Sequence, residues 1–587
     1  MLKLLKNLNK RDYIYVFISA GLIVFQVWLE LKMPDYMSNI TQLVQTRGAS
    51  INDILREGSY MLLCAFGSLV SAFIVGYFTS TIAASFSYRT RGKLFRKVED
   101  ISTFEVKKFS PSSLITRTTN DITQIEFLIA MGLTLMIKAP ICAVWAVTKI
   151  LNKSIEWSML TGVAVLVLLI TIGIIMMIVM PKFKIVQELI DKVNMVMREN
   201  LSGIRVVRAF NAEKYQEDKF EGINNRLTNQ QMFNQRTFNF LSPIMYLVMY
   251  FLTLGIYFIG ANLINGANMG DKIVLFGNMI VFSSYAMQVI MSFLMLAMIF
   301  MMLPRASVSA KRINEVLDTP ISVKEGNVTM NNSDIKGCVE FKNVSFKYPD
   351  ADEYVLLDIS FKVNKGETIA FIGSTGSGKS TLINLIPRFY DATSGEILIN
   401  GIDVRDYSFE YLNNIIGYVP QKATLFSGDI LSNVSFGKNI DGKPSNKKIA
   451  DALRVSQASE FVSKLEDGEK SHIAQGGTNI SGGQKQRLSI ARTIARNPEI
   501  YIFDDSFSAL DYKTDSTLRG ELKKYTKDAT VMIVAQRIGT ILNADKIVVL
   551  DNGKCVGVGT HNELMKKCKV YKEIALSQVS KEELENV

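Results

Sequence analysis

Long apolar runs dominate the first half of the chain. A helix needs about 20 consecutive apolar residues to cross the hydrocarbon core of a bilayer. Six runs approach or exceed this length with few charges, and Lys138 interrupts the third: residues 13–29, 59–88, 127–148, 157–180, 237–267 and 273–304. The first run lacks a small-residue cleavage site, which favours a retained helix over a signal peptide. The pattern therefore predicts six membrane-spanning helices.

Basic residues collect in two loops, after the second span (residues 89–117) and after the fourth (residues 182–236). The positive-inside rule places both loops and both termini in the cytoplasm. Helical periodicity continues through the loops, which predicts long hairpins that extend beyond the membrane. We expect their tips, near residues 112–122 and 206–215, to dock on another domain.

The pattern changes in the second half, where short β-rich runs alternate with helical segments. This alternation is typical of an α/β domain with a parallel sheet at its core. The predicted strands are residues 339–346, 368–372, 396–399, 500–503, 530–534 and 546–550. The predicted domains are a transmembrane domain (1–320), a linker (321–336), an α/β domain (337–575) and a C-terminal tail (576–587).

Composition narrows the class of protein. The 48% hydrophobic content excludes a disordered or fibrous chain, and the lack of alternation in its apolar runs disfavours a soluble enzyme. The net charge of +11 comes from basic residues beside apolar runs. Such residues set the orientation of membrane spans, so the charge does not indicate nucleic-acid binding. The five cysteines are scattered, and neither a disulfide nor a zinc site is expected.

Residues 373–380 read GSTGSGKS and match the phosphate-binding pattern G-x-x-x-x-G-K-[ST] between a predicted strand and a helix. Its glycines let successive N–H groups face phosphate, Lys379 neutralises the β- and γ-phosphates, and Ser380 ligates Mg²⁺. Asp504 ends the strand 500–503, where a carboxylate can hold the Mg²⁺ shell. The predicted nucleotide contacts here are Gly373, Ser374, Thr375, Gly376, Ser377, Gly378, Lys379, Ser380 and Thr381.

A third motif lies between the loop and Asp504, and with it the chain resembles the ATP-binding cassette (ABC) transporter family. The motif is Ser481, Gly482, Gly483 and Gln484, followed by a helical run. Six spans followed by such a cassette resemble one half of an ABC exporter over essentially the whole chain. The resemblance implies a six-helix all-α transmembrane domain followed by an α/β P-loop nucleotide-binding domain, with ATP and Mg²⁺ as cofactors.

The resemblance also assigns individual residues. Tyr348 resembles the aromatic that stacks on adenine, with a core tyrosine as the alternative. Gln421 resembles the glutamine that approaches Mg²⁺ and the γ-phosphate, and Asp511 ends a segment that resembles the D-loop. Cassettes of this family dimerise head to tail, which implies that Ser481 to Gln484 contact ATP held by the opposite cassette. The hairpin tips resemble coupling helices.

Two positions depart from the family pattern. Asp505 stands where the family has the glutamate that polarises water, and Gln536 stands where it has a histidine. Loss of one methylene withdraws the carboxylate by roughly 1 Å, and such misplacement costs about 10²-fold in rate. Glutamine has no ionisable imidazole. His472 and His561 are the only histidines, and neither is at the required position. We therefore expect slow hydrolysis at this chain's own site.

The intact Ser481 motif and the altered Asp505 and Gln536 together predict a heterodimer. The expected companion is a non-identical half-transporter with Glu and His at those two positions. The Ser481 motif of this chain would complete the companion's ATP site. The alternative is that both changes are tolerated variants in a working site.

Methionines and aromatics in the last two spans suit an adaptable surface for amphipathic compounds, with ordinary packing as the alternative. They are Tyr246, Met249, Tyr250, Tyr257, Met279, Met287, Met291, Met295 and Met298, and Thr253 falls on the same helical stripe as the tyrosines. Lys138 either snorkels or faces a water-filled cavity. The expected function is ATP-driven efflux of hydrophobic or amphipathic compounds across a bacterial plasma membrane. A lipid or peptide exporter half and an ATP-gated regulatory subunit are the alternatives.

Overall fold

The computed structural model describes residues 2–46, 50–151, 155–330, 335–437 and 442–578. It divides into two compact units. The first, called the helical unit, is Met1–Val98 with Ser110–Thr319, and the second unit is Glu99–Phe109 with Pro320–Val587. A short piece of the predicted transmembrane domain, Glu99–Phe109, thus belongs to the second unit. The predicted linker includes residues 331–334 and the predicted tail includes residues 579–587, which lie outside the described residues.

The first half of the chain is helical throughout its described part, and a π-turn over Leu128–Gly132 joins two of its helices. The helices are α1 (Leu2–Leu5), α2 (Lys10–Gln45), α3 (Ile51–Asp100), α4 (Thr103–Lys108), α5 (Pro111–Thr118), α6 (Asn120–Phe127), α7 (Leu133–Leu151), α8 (Ile155–Ser202), α9 (Ile204–Ala209), α10 (Glu213–Asn239), α11 (Leu241–Gly266) and α12 (Met269–Leu317). Among the described residues, six helical segments are long and apolar enough to span a membrane, which confirms the predicted spans.

Helices α8, α11 and α12 pack closely around one aromatic residue. Trp157 is buried on α8, and its indole Nε1 donates a hydrogen bond to the Ile256 carbonyl at 3.2 Å. Gly260 permits this approach, because a Cβ there would lie 2.5 Å from the Met279 Sδ atom. Met279 and Met249 are both buried in this core, so for these two methionines the packing interpretation is correct.

A short helix before the first predicted tip is grouped with the second unit. Helix α4 belongs to the second unit, where Phe104 packs against the apolar core and Lys107 Nζ donates a hydrogen bond to Tyr390 Oη at 3.3 Å. Residues 112–122, the first predicted tip, lie in α5 and α6 of the helical unit, and their docking stays a prediction. The second predicted tip, residues 206–215, spans the end of α9 and the start of α10 and exposes Phe210.

The second unit contains two larger sheets. Its strands are β1 (Val339–Phe346), β2 (Leu356–Val363), β3 (Thr368–Gly373), β4 (Ser394–Ile399), β5 (Ile402–Asp403), β6 (Ile416–Val419), β7 (Gly428–Asp429), β8 (His472–Ile473), β9 (Ile500–Asp504), β10 (Thr530–Val534), β11 (Lys546–Asp551) and β12 (Lys554–Gly559). The antiparallel sheet has the order β2-β1-β4-β5, and the main sheet has the order β12-β11-β3-β10-β9-β6.

Helices surround the main sheet. They are α13 (Lys379–Asn384), α14 (Phe409–Ile415), α15 (Ile430–Val434), α16 (Asn446–Val455), α17 (Ser459–Val462), α18 (Gly482–Arg496), α19 (Tyr512–Tyr525), α20 (Ile538–Ile541), α21 (His561–Lys567) and α22 (Lys569–Gln578). Short 3₁₀ turns cover Val404–Asp406, Gly468–Lys470 and Gln475–Gly477.

The neighbours β11, β3, β10, β9 and β6 are parallel, and both apolar faces of the sheet are covered. Continuous apolar strands such as β9 are typical of such a two-sided burial. The carboxyl ends of these strands meet at one edge, which is where ligands bind in open α/β sheets. The predicted fold class is confirmed.

Candidate functional site

The loop after β3 requires its glycines. Gly376 and Gly378 adopt φ values of +86° and +94°, in the left-handed region that side chains disfavour. A Cβ on Gly373 would lie 2.0 Å from the Leu550 carbonyl oxygen. Lys379 folds across the loop, and its Nζ donates hydrogen bonds to the carbonyls of Gly373 (2.9 Å) and Ser374 (2.7 Å). The loop therefore has the shape and charge of a phosphate site.

Oxygen groups suited to Mg²⁺ lie beside this loop. The Ser380 hydroxyl donates a hydrogen bond to Asp504 Oδ1 at 2.8 Å, and the Asp504 carboxylate is buried. The Tyr418 hydroxyl lies 3.4 Å from Asp504 Oδ2 and 3.0 Å from Asn384 Oδ1. A hydroxyl and a carboxylate are ligands that Mg²⁺ accepts, so these residues fit the ion. Tyr418 was not predicted from the sequence, because its position beside Asp504 depends on β6 lying next to β9.

Asp505 is the centre of a second cluster. Its Oδ2 accepts hydrogen bonds from Gln421 Nε2 at 3.1 Å and from Gln536 Nε2 at 2.8 Å. Its N–H donates to the Val534 carbonyl at 3.0 Å, and its φ of +46° turns the chain away from β9. The structure thus brings together Asp505 and Gln536, which depart from the family pattern, and Gln421, the glutamine expected near Mg²⁺ and the γ-phosphate.

Burial affects the charged groups of this edge in a consistent way. It raises the pKa of both Asp504 and Asp505 and lowers the pKa of the Lys379 ammonium. Because burial penalises each charged form, a ligand that supplies compensating charge is favoured. Mg²⁺ beside the carboxylates and phosphate beside the lysine are such partners.

Tyr348 lies at the edge of the same loop. Its hydroxyl and the Thr381 hydroxyl are 3.1 Å apart. Its ring packs edge-on against Phe346 and Tyr390, with centroid distances of 5.0 and 5.3 Å. The tyrosine is thus packed against the core and also adjacent to the predicted phosphate site.

The Ser481 motif begins α18 with a reciprocal cap. Ser481 Oγ accepts from the Gln484 N–H at 3.3 Å, and Gln484 Oε1 accepts from the Ser481 N–H at 2.9 Å. Ser481 and Gly482 are exposed, and an added Cβ on Gly482 would meet nothing within 4 Å. Asp511 caps α19, where its Oδ1 accepts from the Thr514 N–H at 2.9 Å.

No hydrogen bond joins the Ser481 motif to the loop 373–380, both of which the structure describes fully. The exposed start of α18 is therefore available to a second molecule. A helix N-terminus favours anions because its first N–H groups have no partner within the helix.

We expect Asp504→Asn to weaken Mg²⁺-dependent nucleotide binding about 10-fold or more, since losing a group that orients a metal typically costs that much in metal affinity. Calorimetric titration of ATP with Mg²⁺ and with EDTA measures the effect. The matched control is Asp429→Asn, which removes a carboxylate from the cap of α15. An equal loss of affinity in EDTA would contradict a role for Asp504 in holding Mg²⁺.

Comparisons with known proteins agree with this geometry. Residues 356–508 match the family model for the ABC transporter, and residues 15–293 match that for the ABC transporter transmembrane region. An uncharacterized ABC transporter ATP-binding protein of Mycobacterium tuberculosis is 39% identical over 554 residues, covering 92% of this chain and 93% of the relative.

Two further relatives have more specific names. YgaD of Bacillus subtilis, whose name refers to multidrug export, is 32% identical over 85% of this chain and 84% of its own length. The ATP-dependent lipid A-core flippase of Pseudomonas fluorescens is 31% identical over 86% of this chain and 82% of its own length.

A solved structure of a bacterial Atm1-family ABC exporter with ATP bound has the same fold. It is 22% identical with a TM-score of 0.83, and the alignment covers 97% of this chain and 100% of that one. Together with the six spans, these matches show a multi-pass membrane protein whose nucleotide-binding domain is cytoplasmic. The protein acts as an ATPase and translocase. This chain belongs to the ABC transporter family, as an exporter half-transporter that joins a transmembrane domain to one nucleotide-binding domain.

Proposed function

We propose that this chain is the catalytically weak half of a heterodimeric ABC exporter that expels hydrophobic or amphipathic compounds. The observation that carries the proposal is the hydrogen bonding of Asp505, whose Oδ2 accepts from the side-chain amides of both Gln421 and Gln536. The carboxylate that stands in the position of the general base is short, and two amide groups hold one of its oxygens.

Both amide donors restrict the chemistry at Asp505. Neither glutamine side chain titrates near neutral pH, so neither can carry a proton during hydrolysis. A general base must also reach the proton that it removes, at about 2.6–3.2 Å. Burial raises the pKa of Asp505, which by itself favours a base, but a carboxylate that is out of reach gains nothing from greater basicity. Position rather than pKa therefore limits this site.

The other half of the argument is the preserved Ser481 motif. Its capping box leaves the start of α18 ordered and exposed, and the N–H groups of the first turn are suited to the γ-phosphate of a nucleotide on the companion subunit. A companion with a longer carboxylate and a histidine would explain why this exposed motif is intact while position 505 carries a short one. We infer that the companion supplies the glutamate and the histidine.

Exposed aromatic groups in α11 support an amphipathic substrate. Tyr246, Tyr250 and Tyr257 are exposed in this unit, and the rings of Tyr246 and Tyr250 stack with centroids 6.5 Å apart. Tyrosine combines an apolar ring with a polar hydroxyl, which suits ligands of mixed polarity. The similarity to YgaD supports multidrug efflux. The similarity to a lipid A-core flippase supports lipid export as the second candidate.

The test compares inside-out vesicles that contain this chain alone, the companion alone, or both. ATP-dependent accumulation of a fluorescent amphipathic compound is expected only when both halves are present. ATPase measurements on the purified proteins should show the same requirement. Rapid ATP hydrolysis and uptake by this chain alone would overturn the heterodimer, and ATP-gated flux only down a gradient would favour a regulatory subunit. Preferential movement of labelled phospholipid would favour the flippase alternative.

A further inference from the structure

An ion pair lies within the membrane-spanning part of the helical unit. Lys138 Nζ on α7 lies 2.8 Å from Glu30 Oε1 on α2, and both side chains are mostly buried. The same Oε1 accepts hydrogen bonds from Gln26 Nε2 at 2.9 Å and from the Ser68 hydroxyl at 3.3 Å. In the part of the chain that the structure describes, no group donates to Glu30 Oε2. Lys138 is therefore paired with Glu30, and its two predicted roles, snorkelling and facing a water-filled cavity, stay predictions.

Glu30 also lines a cleft of about 440 Å³ between α2, α3 and α12. Gln288 lines the same cleft, and its Oε1 is buried without a hydrogen-bond partner among the described residues. Pro34 lies here too, and because proline has no N–H, the Glu30 backbone carbonyl lacks its usual helical donor. Three acceptors thus lie in or beside one cleft.

The rest of the wall consists of two serines, Ser283 and Ser284, and of apolar, polarizable side chains. Five methionines contribute to it, and their flexible thioethers adapt to ligands of different shape: Met33, Met37, Met61, Met287 and Met291. None of the described residues that line the cleft is a lysine or an arginine, and Lys138 is not among them. The cleft therefore offers hydrogen-bond acceptors and one carboxylate oxygen to a ligand with an apolar body.

We propose that this cleft binds amphipathic compounds that contain a protonated amine, whose N–H groups bond to Glu30 Oε2 and Gln288 Oε1. The inference rests on the proposed export function and names its substrate class. Hydrogen bonds to an ionised acceptor are about twice as strong as neutral ones, so the ammonium form is preferred. An ionised carboxylate has about four acceptor sites, and Glu30 can therefore contact the ligand while Lys138 stays in place.

A neighbouring carboxylate provides the control. Asp35, on the same helix, accepts from Lys149 Nζ through Oδ2 at 2.9 Å and from the Tyr285 hydroxyl through Oδ1 at 2.8 Å. Both of its oxygens are occupied, whereas Glu30 has one available. Removing the charge at position 35 should therefore leave ligand selectivity unchanged.

The test uses the assembled transporter in phosphatidylcholine nanodiscs and two fluorescent probes, a dansyl alkylamine and its neutral N-acetyl derivative. We expect the amine to bind at least about 10-fold more tightly than the neutral probe, the range given by one charged hydrogen bond. Glu30→Gln should remove this preference by weakening amine binding only, and Asp35→Asn should preserve it. Equal affinities for the two probes, or a preference that survives Glu30→Gln, would overturn the proposal.

Two further variants decide the matter if Glu30→Gln does not fold. Gln288→Met should weaken amine binding about 10-fold or more, the range of one hydrogen bond from a charged donor. Lys138→Gln should maintain or strengthen amine binding by removing a competing cation. Weaker amine binding in Lys138→Gln would overturn the proposal.

Export is assayed separately in vesicles. Glu30-dependent binding without ATP-driven uptake would refute export but support the site. Uptake of both probes that Glu30→Gln leaves unchanged would support export but refute the site.

Discussion

Gly482→Asp is expected to lower the ATPase rate of the assembled transporter by at least about 10²-fold. The new carboxylate would face the γ-phosphate held by the companion, and like charges about 4 Å apart repel by about 4 kcal/mol at a protein surface. The fold should tolerate the change, because a Cβ at Gly482 meets nothing within 4 Å and an acidic residue suits the first turn of α18.

Gly482→Asn is the matched control, since it has nearly the same shape without the charge. We expect it to retain most of the activity of the unmodified transporter in steady-state phosphate release. ATP binding to this chain's own loop should be unchanged in both variants, as measured by titration of the isolated subunit. An aspartate variant as active as the asparagine variant would show that this surface does not face phosphate.

The double substitution Asp505→Glu and Gln536→His should increase hydrolysis at this chain's own site about 10²-fold or more. The longer side chain restores roughly 1 Å of reach, and a misplacement of that size costs about this factor. Histidine also removes one of the two amide donors that now hold Asp505 Oδ2. The measurement requires a companion whose catalytic glutamate is changed to glutamine, so that only this site contributes to phosphate release.

Asp505→Gln with Gln536→His provides the control, because it has the same length as the active variant but no base. We expect it to remain at the background rate. If the glutamate and glutamine variants were indistinguishable, the reach of the side chain at position 505 would not limit hydrolysis.

Local pattern was sufficient for much of the fold. The six spans could be predicted because each long apolar run carries its own signal. Periodicity beyond the runs also predicted that helices such as α3, α8 and α12 continue past them. The phosphate loop could be predicted because its glycines and Lys379 are contiguous and lie between a strand and a helix. Position 505 was identified through its place after β9, where the chain departs from the family pattern.

Features that depend on tertiary contacts were missed. Periodicity does not show that Phe104 of α4 packs against the apolar core of the second unit. Tyr418 is one of several apolar strand residues, and only the pairing of β6 with β9 brings its hydroxyl to Asp504. The pairing of Lys138 with Glu30 joins residues 108 positions apart, which no local pattern indicates.

The most direct measurement of the proposed division of labour is steady-state phosphate release by the assembled transporter with one carboxylate changed at a time. Neutralising the companion's catalytic glutamate should reduce the rate about 10²-fold or more, whereas Asp505→Asn in this chain should leave it within about twofold. A rate that survives the companion's change and falls with Asp505→Asn would contradict the account.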